Sequence, residues 1–189
     1  TSFFPYETLT WPEVAALPRD LPLVIPLGCG YPLDRLADAL GRPERACLLP
    51  EFPFGWRGSG LAVPDEILEK ILFNLVESLQ DDGFTNVFLL TPQGLEWSTW
   101  AQGTLSACRI SLPKAAHAQA PLPPDEDRDK VILIPIGHTE QHAFHLPLST
   151  DTLIIEAISQ GTAQAASSEA FTLPVMPYGV STHRPSFAA

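Results

Sequence analysis

Three of the chain's five histidines and two of its carboxylates fall within one stretch, Gly137-His138-Thr139-Glu140-Gln141-His142-Ala143-Phe144-His145-Leu146-Pro147-Leu148-Ser149-Thr150-Asp151. Glu140 and His142 stand two residues apart, so in an extended segment both side chains leave the same face and can converge on one ion. Asp151 follows nine residues after His142, where Asp151-Thr152-Leu153-Ile154-Ile155-Glu156-Ala157-Ile158 begins a helical pattern, which puts its carboxylate at a helix N-terminus. Mixed carboxylate and imidazole donors suit zinc, manganese or iron, whereas calcium takes oxygen alone. A carboxylate can also bridge two ions. The same letters admit a structural reading: Asp151 as an N-cap, Glu140 as a surface charge, and the histidines as hydrogen-bonded structural residues.

These residues need elements to hold them. The apolar run Val131 to Ile136 reads as a strand with the histidine-rich loop at its carboxyl end, where ligands bind in open α/β sheets. His183 lies at the end of the next expected strand, which admits two readings: a group that reaches the same rim, or an exposed loop histidine. In the first half of the chain, Thr8 to Leu17 has an N-cap threonine, an early proline and apolar spacing for a short helix. Leu21 to Leu27 then reads as a buried strand ending at Gly28. Asp65 and Glu66 open an amphipathic helix whose apolar face is Ile67, Ile71, Leu72, Leu75, Val76 and Leu79, closing at Asp81-Asp82-Gly83. Asn86 to Thr91 follows as another buried strand. A helix feeding a buried strand is βαβ grammar, so the expected fold is α/β: a three-layer α/β/α arrangement around a mostly parallel sheet.

The two halves also look like copies of one another. Ile25-Pro26-Leu27-Gly28 pairs with Ile134-Pro135-Ile136-Gly137, Tyr31-Pro32-Leu33-Asp34 with Leu146-Pro147-Leu148 and the helix from Asp151, and Leu49 to Gly55 with Leu173 to Gly179. Between Gly28 and Tyr31 the first copy has only Cys29-Gly30, so nothing there corresponds to Glu140 and His142. Asp34 alone survives as a counterpart of Asp151.

Eleven basic against twenty-two acidic residues give a formal charge of −11, which opposes nonspecific binding to nucleic acid or an anionic membrane. No apolar run is long enough to span a bilayer and no signal peptide is evident. Cys29, Cys47 and Cys108 are odd in number and lack metal-finger spacing, which reads as reduced thiols and a cytoplasmic location. Twenty prolines call for many short, sharply ended elements rather than long helices. Leu112 to Asp129, with four prolines, His117 and the acidic run Asp125-Glu126-Asp127, is the linker candidate.

Gly137 to Asp151 closely resembles the signature loop of the creatininase (creatinine amidohydrolase) family, usually Gly-Ser-x-Glu-Gln-His-Gly-x-His-Leu-Pro-Leu-x-Thr-Asp. Leu173 to His183 resembles that family's second motif. The departures are His138 for the usual serine, Ala143 for the usual glycine, and Thr182 where a glutamate often precedes the histidine. The resemblance implies Glu140, His142 and Asp151 as metal ligands, with Asp151 bridging the ions of a binuclear zinc, manganese or iron centre. It implies hydrolysis by a metal-activated water of a non-peptide C–N bond, in a small cyclic amide or formamide substrate, with His145 and His183 as candidate proton-transfer or ligand-orienting groups. It also implies a ring-like homo-oligomer.

On this reading, residues 1–112 are a copy without catalytic equipment, 113–129 a proline-rich acidic linker, and 130–189 the N-terminal part of a second copy that carries the metal motif. In the first copy, Gln93 stands where relatives have a metal-binding histidine, and Glu96 alone would not replace it. Trp97 and Trp100 read as packing or oligomer contacts. The chain is expected to be one portion of a longer protein that supplies the remaining ligands. The competing expectation is a non-catalytic module that binds or assembles.

Overall fold

The computed structural model describes residues 1–95, 107–113 and 129–179. Its first unit is a five-stranded, wholly parallel sheet in the order β1-β3-β2-β4-β5, with β1 at Ser2–Pro5, β2 at Leu23–Pro26, β3 at Arg45–Leu48, β4 at Val87–Pro92 and β5 at Cys108–Leu112. β2 is central and buried at all four positions, as an unbroken apolar run in a parallel sheet must be.

Side-chain alternation along β2 defines the layers. Leu23 and Ile25 point into a core shared with α1 (Trp11–Ala15) and α3 (Asp65–Asp81), while Val24 packs on the other face against Leu36 of α2 (Leu33–Ala39), Leu90 and Ile110. Helices therefore cover both faces, and the three-layer α/β/α architecture expected from sequence is the one observed.

α1 begins where the sequence places it. The Glu13 carboxylate reaches back to accept from both the backbone N–H and the hydroxyl of Thr10, each at 2.7 Å, one arm of a capping box. α3 spans its expected residues, but its buried stripe is Leu68, Leu72, Val76 and Leu79, while Ile67 and Ile71 are exposed. Each of those four buried side chains contributes about 1.5–3 kcal/mol by leaving water.

The second unit is a single βαβ element. β6 (Val131–Leu133) and β7 (Ala170–Thr172) pair in parallel, and α4 (Thr150–Ala165) crosses between them. β6 is shorter than the apolar run that announces it, because Pro135 has no N–H to donate to a ladder. The chain beyond it still runs alongside Leu173 to Met176, and its hydrogen bonds follow the β2/β3 pattern. Leu49 N–H donates to the Val24 carbonyl, Phe52 N–H to Pro26 and Gly28 N–H to Phe52; likewise Leu173 donates to Leu133, Met176 to Pro135 and Gly137 to Met176. The β6 run leaves Val131, Ile134 and Ile136 exposed, and α4 does the same with Leu153, Ile154 and Ile158. Among the described residues no helix is long and apolar enough to cross a membrane.

The units are joined through the histidine-rich loop and its neighbour strand. Leu148 is buried in the first unit's core, and the N–H groups of Leu148 and Ser149 donate to the carbonyls of Leu9 (2.9 Å) and Glu7 (3.0 Å). Tyr178 stacks on Phe52 with centroids 4.5 Å apart and donates its hydroxyl to the Pro50 carbonyl. Residues 114–128 of the expected linker, Glu96, Trp97, Trp100 and His183 lie outside the described residues.

Candidate metal centre

The site grows from the end of the β6 run. Gly137 is pressed against the first turn of α4: a Cβ there would stand 2.5 Å from Thr152 Oγ1 and 2.7 Å from Thr152 Cα. This close approach brings the loop over the helix that carries Asp151. Beyond it, Thr139 turns inward and donates to the Pro177 carbonyl at 2.9 Å, which leaves its neighbours on the opposite face. Leu148 then anchors the far end of the loop in the first unit's core.

The turn in between closes with an antiparallel bridge from His142 to Leu146. Ala143 takes a left-handed φ of 56° there, a conformation costing an alanine roughly 1–2 kcal/mol. The outward-facing Phe144 of this turn packs T-shaped with Trp11, centroids 6.0 Å apart.

Glu140, His142 and Asp151 come together, each partly buried, with one donor atom from each lying within 4.8 Å of the others. His142 Nδ1 lies 3.1 Å from the Glu140 carbonyl. A carbonyl only accepts, so Nδ1 carries the proton and Nε2 of the neutral ring holds a lone pair. That lone pair faces Asp151 Oδ1 at 3.0 Å. Two acceptors at this distance repel unless a cation, either a proton or a metal ion, lies with them. A zinc ion about 2.1 Å from two donors at ordinary coordination angles spaces them about 3.0–3.4 Å apart. The donor chemistry and the spacing of His142 and Asp151 both fit a divalent transition metal. Asp151 is the second residue of α4, where the helix N-terminus favours its charge.

The other sequence candidates are placed differently. His145 is exposed on the turn, apart from the three-residue group. Asp34 sits as the second residue of α2, as Asp151 does in α4, but is exposed. In the sequence His138 stands out only as a departure from a pattern, yet its Nε2 lies 3.7 Å from Glu140 Oε2. The signal was present in the sequence as an unbroken alternation, since His138, Glu140 and His142 share one face of an extended segment.

The same part of the chain is similar to known proteins. Residues 120–189 match the family model described as Creatininase: Creatinine amidohydrolase. A protein of Mycolicibacterium smegmatis named mycofactocin precursor peptide peptidase is 38% identical over 86 residues, covering 43% of this chain and 31% of that protein. One of the same name from Mycobacterium ulcerans is 41% identical over 64 residues, covering 30% of this chain and 26% of its own length. The chain thus spans under a third of the curated relatives it matches. No solved structure matches. The segment that carries Glu140, His142 and Asp151 is the part of the chain that is similar to the creatinine amidohydrolase family.

Proposed function

We propose that this chain carries part of the active centre of a metal-dependent amidohydrolase that cleaves a C–N bond in an amide. The observation behind this reading is the meeting of Glu140, His142 and Asp151, with the lone pair of His142 Nε2 turned on the Asp151 carboxylate. Three protein donors that leave a coordination position open are the pattern of catalytic rather than structural zinc. A divalent ion held there would polarise the amide carbonyl and make a bound water acidic near neutral pH.

The protein's own part is orientation. The Glu140 carbonyl fixes the His142 tautomer, and the Leu148 anchor holds the loop over α4. His145, exposed on the neighbouring turn, is the proposed proton-transfer group. The family supports a small non-peptide substrate, a cyclic amide or formamide, while the relatives' name supports a peptide. Both present the same bond. A binuclear centre with Asp151 bridging would draw on donors additional to these three.

The test is uptake of Zn²⁺ or Mn²⁺ by the purified protein, with stoichiometry by elemental analysis and hydrolysis assayed on a cyclic amide, a formamide and a peptide. We expect tight binding and hydrolysis, both lost in His142→Ala and Asp151→Asn. A protein that takes up no ion, or whose uptake ignores His142→Ala, would instead favour a non-catalytic binding module.

A further inference from the structure

His138 occupies a position at which its ring nitrogens cannot exchange roles. The backbone N–H of Gly179 donates to His138 Nδ1 at 3.3 Å. An amide can only donate, so Nδ1 must hold the lone pair, and the proton of the neutral ring sits on Nε2. Nε2 is buried and has no hydrogen-bond partner among the described residues. The carboxylate oxygen Oε2 of Glu140 lies 3.7 Å away, just beyond hydrogen-bond reach.

The contact with Gly179 is built closely. A Cβ on Gly179 would stand 2.9 Å from the Gly137 carbonyl oxygen and 3.5 Å from His138 Cγ, so the bare backbone of residue 179 is what permits the approach. His138 is thus held by its rear nitrogen and offers a single N–H forward.

We propose that His138 is a positioning residue for Glu140: its Nε2–H donates to Glu140 Oε2 when the carboxylate turns its other oxygen to a divalent ion. The inference rests on the metal reading above. It gives His138 the opposite role from His142. The lone pair of His142 would face the ion while its proton faces a backbone carbonyl; in His138 the lone pair is used by a backbone amide and the proton faces Glu140. His138 is therefore not itself a ligand. Closing 3.7 Å to an ordinary charge-assisted hydrogen bond of about 2.7–2.9 Å needs a shift of only about 1 Å, within reach of a glutamate side-chain rotation.

Two measurements test this. Long-range ¹H–¹⁵N correlation spectra of the metal-free protein at mildly alkaline pH, with His138 assigned by its disappearance in His138→Gln, should show Nε2 protonated and Nδ1 bare. The reverse tautomer would overturn the proposal. Titration calorimetry with Mn²⁺ or Zn²⁺ should show His138→Ala binding the same number of ions about 10–100-fold more weakly. His138→Gln, which retains a forward N–H donor, should recover most of that loss, a rescue that a purely space-filling role would not favour over His138→Leu. An unchanged affinity in His138→Ala, or the loss of one whole ion, would overturn the proposal while leaving the metal reading in place. A wild-type protein that binds no ion would remove both.

Discussion

Replacing Gly137 with alanine should damage the candidate centre from a position that touches none of its donors. The added Cβ would stand 2.5 Å from Thr152 Oγ1, 2.7 Å from Thr152 Cα and 3.0 Å from Thr152 N, where ordinary carbon contacts begin near about 3.4 Å. Rotating the hydroxyl away relieves the first contact only. The other two are main-chain atoms in the first turn of α4, so relief requires the helix terminus to retreat by roughly 0.5–1 Å, a backbone adjustment costing about 1–3 kcal/mol. Asp151 is the residue before Thr152 and moves with it, opening the 3.0 Å spacing to His142 toward 4 Å. We expect a lower urea midpoint and at least about a tenfold loss of Zn²⁺ affinity by calorimetry, the penalty typical of a disturbed ligand support. Gly161→Ala is the control: it lies in the same helix, nothing surrounds its Cβ position within 4 Å, and alanine there should stabilise by about 0.5–1 kcal/mol. The reasoning fails if Gly137→Ala matches wild type in both stability and metal affinity, or if Thr152→Ser, which leaves the backbone contacts in place, restores it fully.

Leu148→Ala should cost about 2–5 kcal/mol in denaturant unfolding, since the side chain is 4% exposed in the first unit's core; metal affinity should fall with it, and a surface-like loss under 0.5 kcal/mol would refute the anchoring role. Burial raises the Glu7 carboxyl above its ordinary 4.5, with the neighbouring Glu51 charge adding to the effect. The folded state therefore holds this proton more tightly than the unfolded one, and stability is lost as pH rises from about 4.5 through the folded pKa. Glu7→Gln should be more stable than wild type at neutral pH, with the advantage vanishing below pH 4.5; a pH-independent difference in thermal midpoint would argue against this.

Where one force dominated locally, the fold was readable. β2 and β4 are short buried apolar runs, and α3 carries a period of 3.6 residues over 17 residues. Periodicity did not fix which side of α3 faces the sheet, because Ile67 and Leu68, and Ile71 and Leu72, are adjacent apolar pairs. The stripe of α3 chosen for burial shares a core with Phe84 and Leu89, a long-range arrangement that no local pattern encodes. β1, β3 and β5 went unread for a related reason: Arg45–Leu48 and Cys108–Leu112 mix exposed and buried positions and become strands through long-range parallel pairing. At the site, two-residue spacing predicted the convergence of Glu140 and His142, and the helix pattern placed Asp151. The relation of His138 to Gly179 spans 41 residues, and depends on a glycine whose value is the absence of a side chain.

The attachment of the histidine-rich loop to the first unit is written mostly in main-chain atoms. Leu9 and Glu7 contribute carbonyl oxygens to Leu148 and Ser149, and Pro50 contributes another to Tyr178. A carbonyl is supplied by every amino acid, so these hydrogen bonds fix the path of the chain without drawing on side-chain identity. Those bonds survive a change of side chain in the first unit, whereas the seat of Leu148 and the stack of Tyr178 on Phe52 do not. Insertions, deletions and prolines that reroute the backbone near residues 7 and 9 would break this attachment directly.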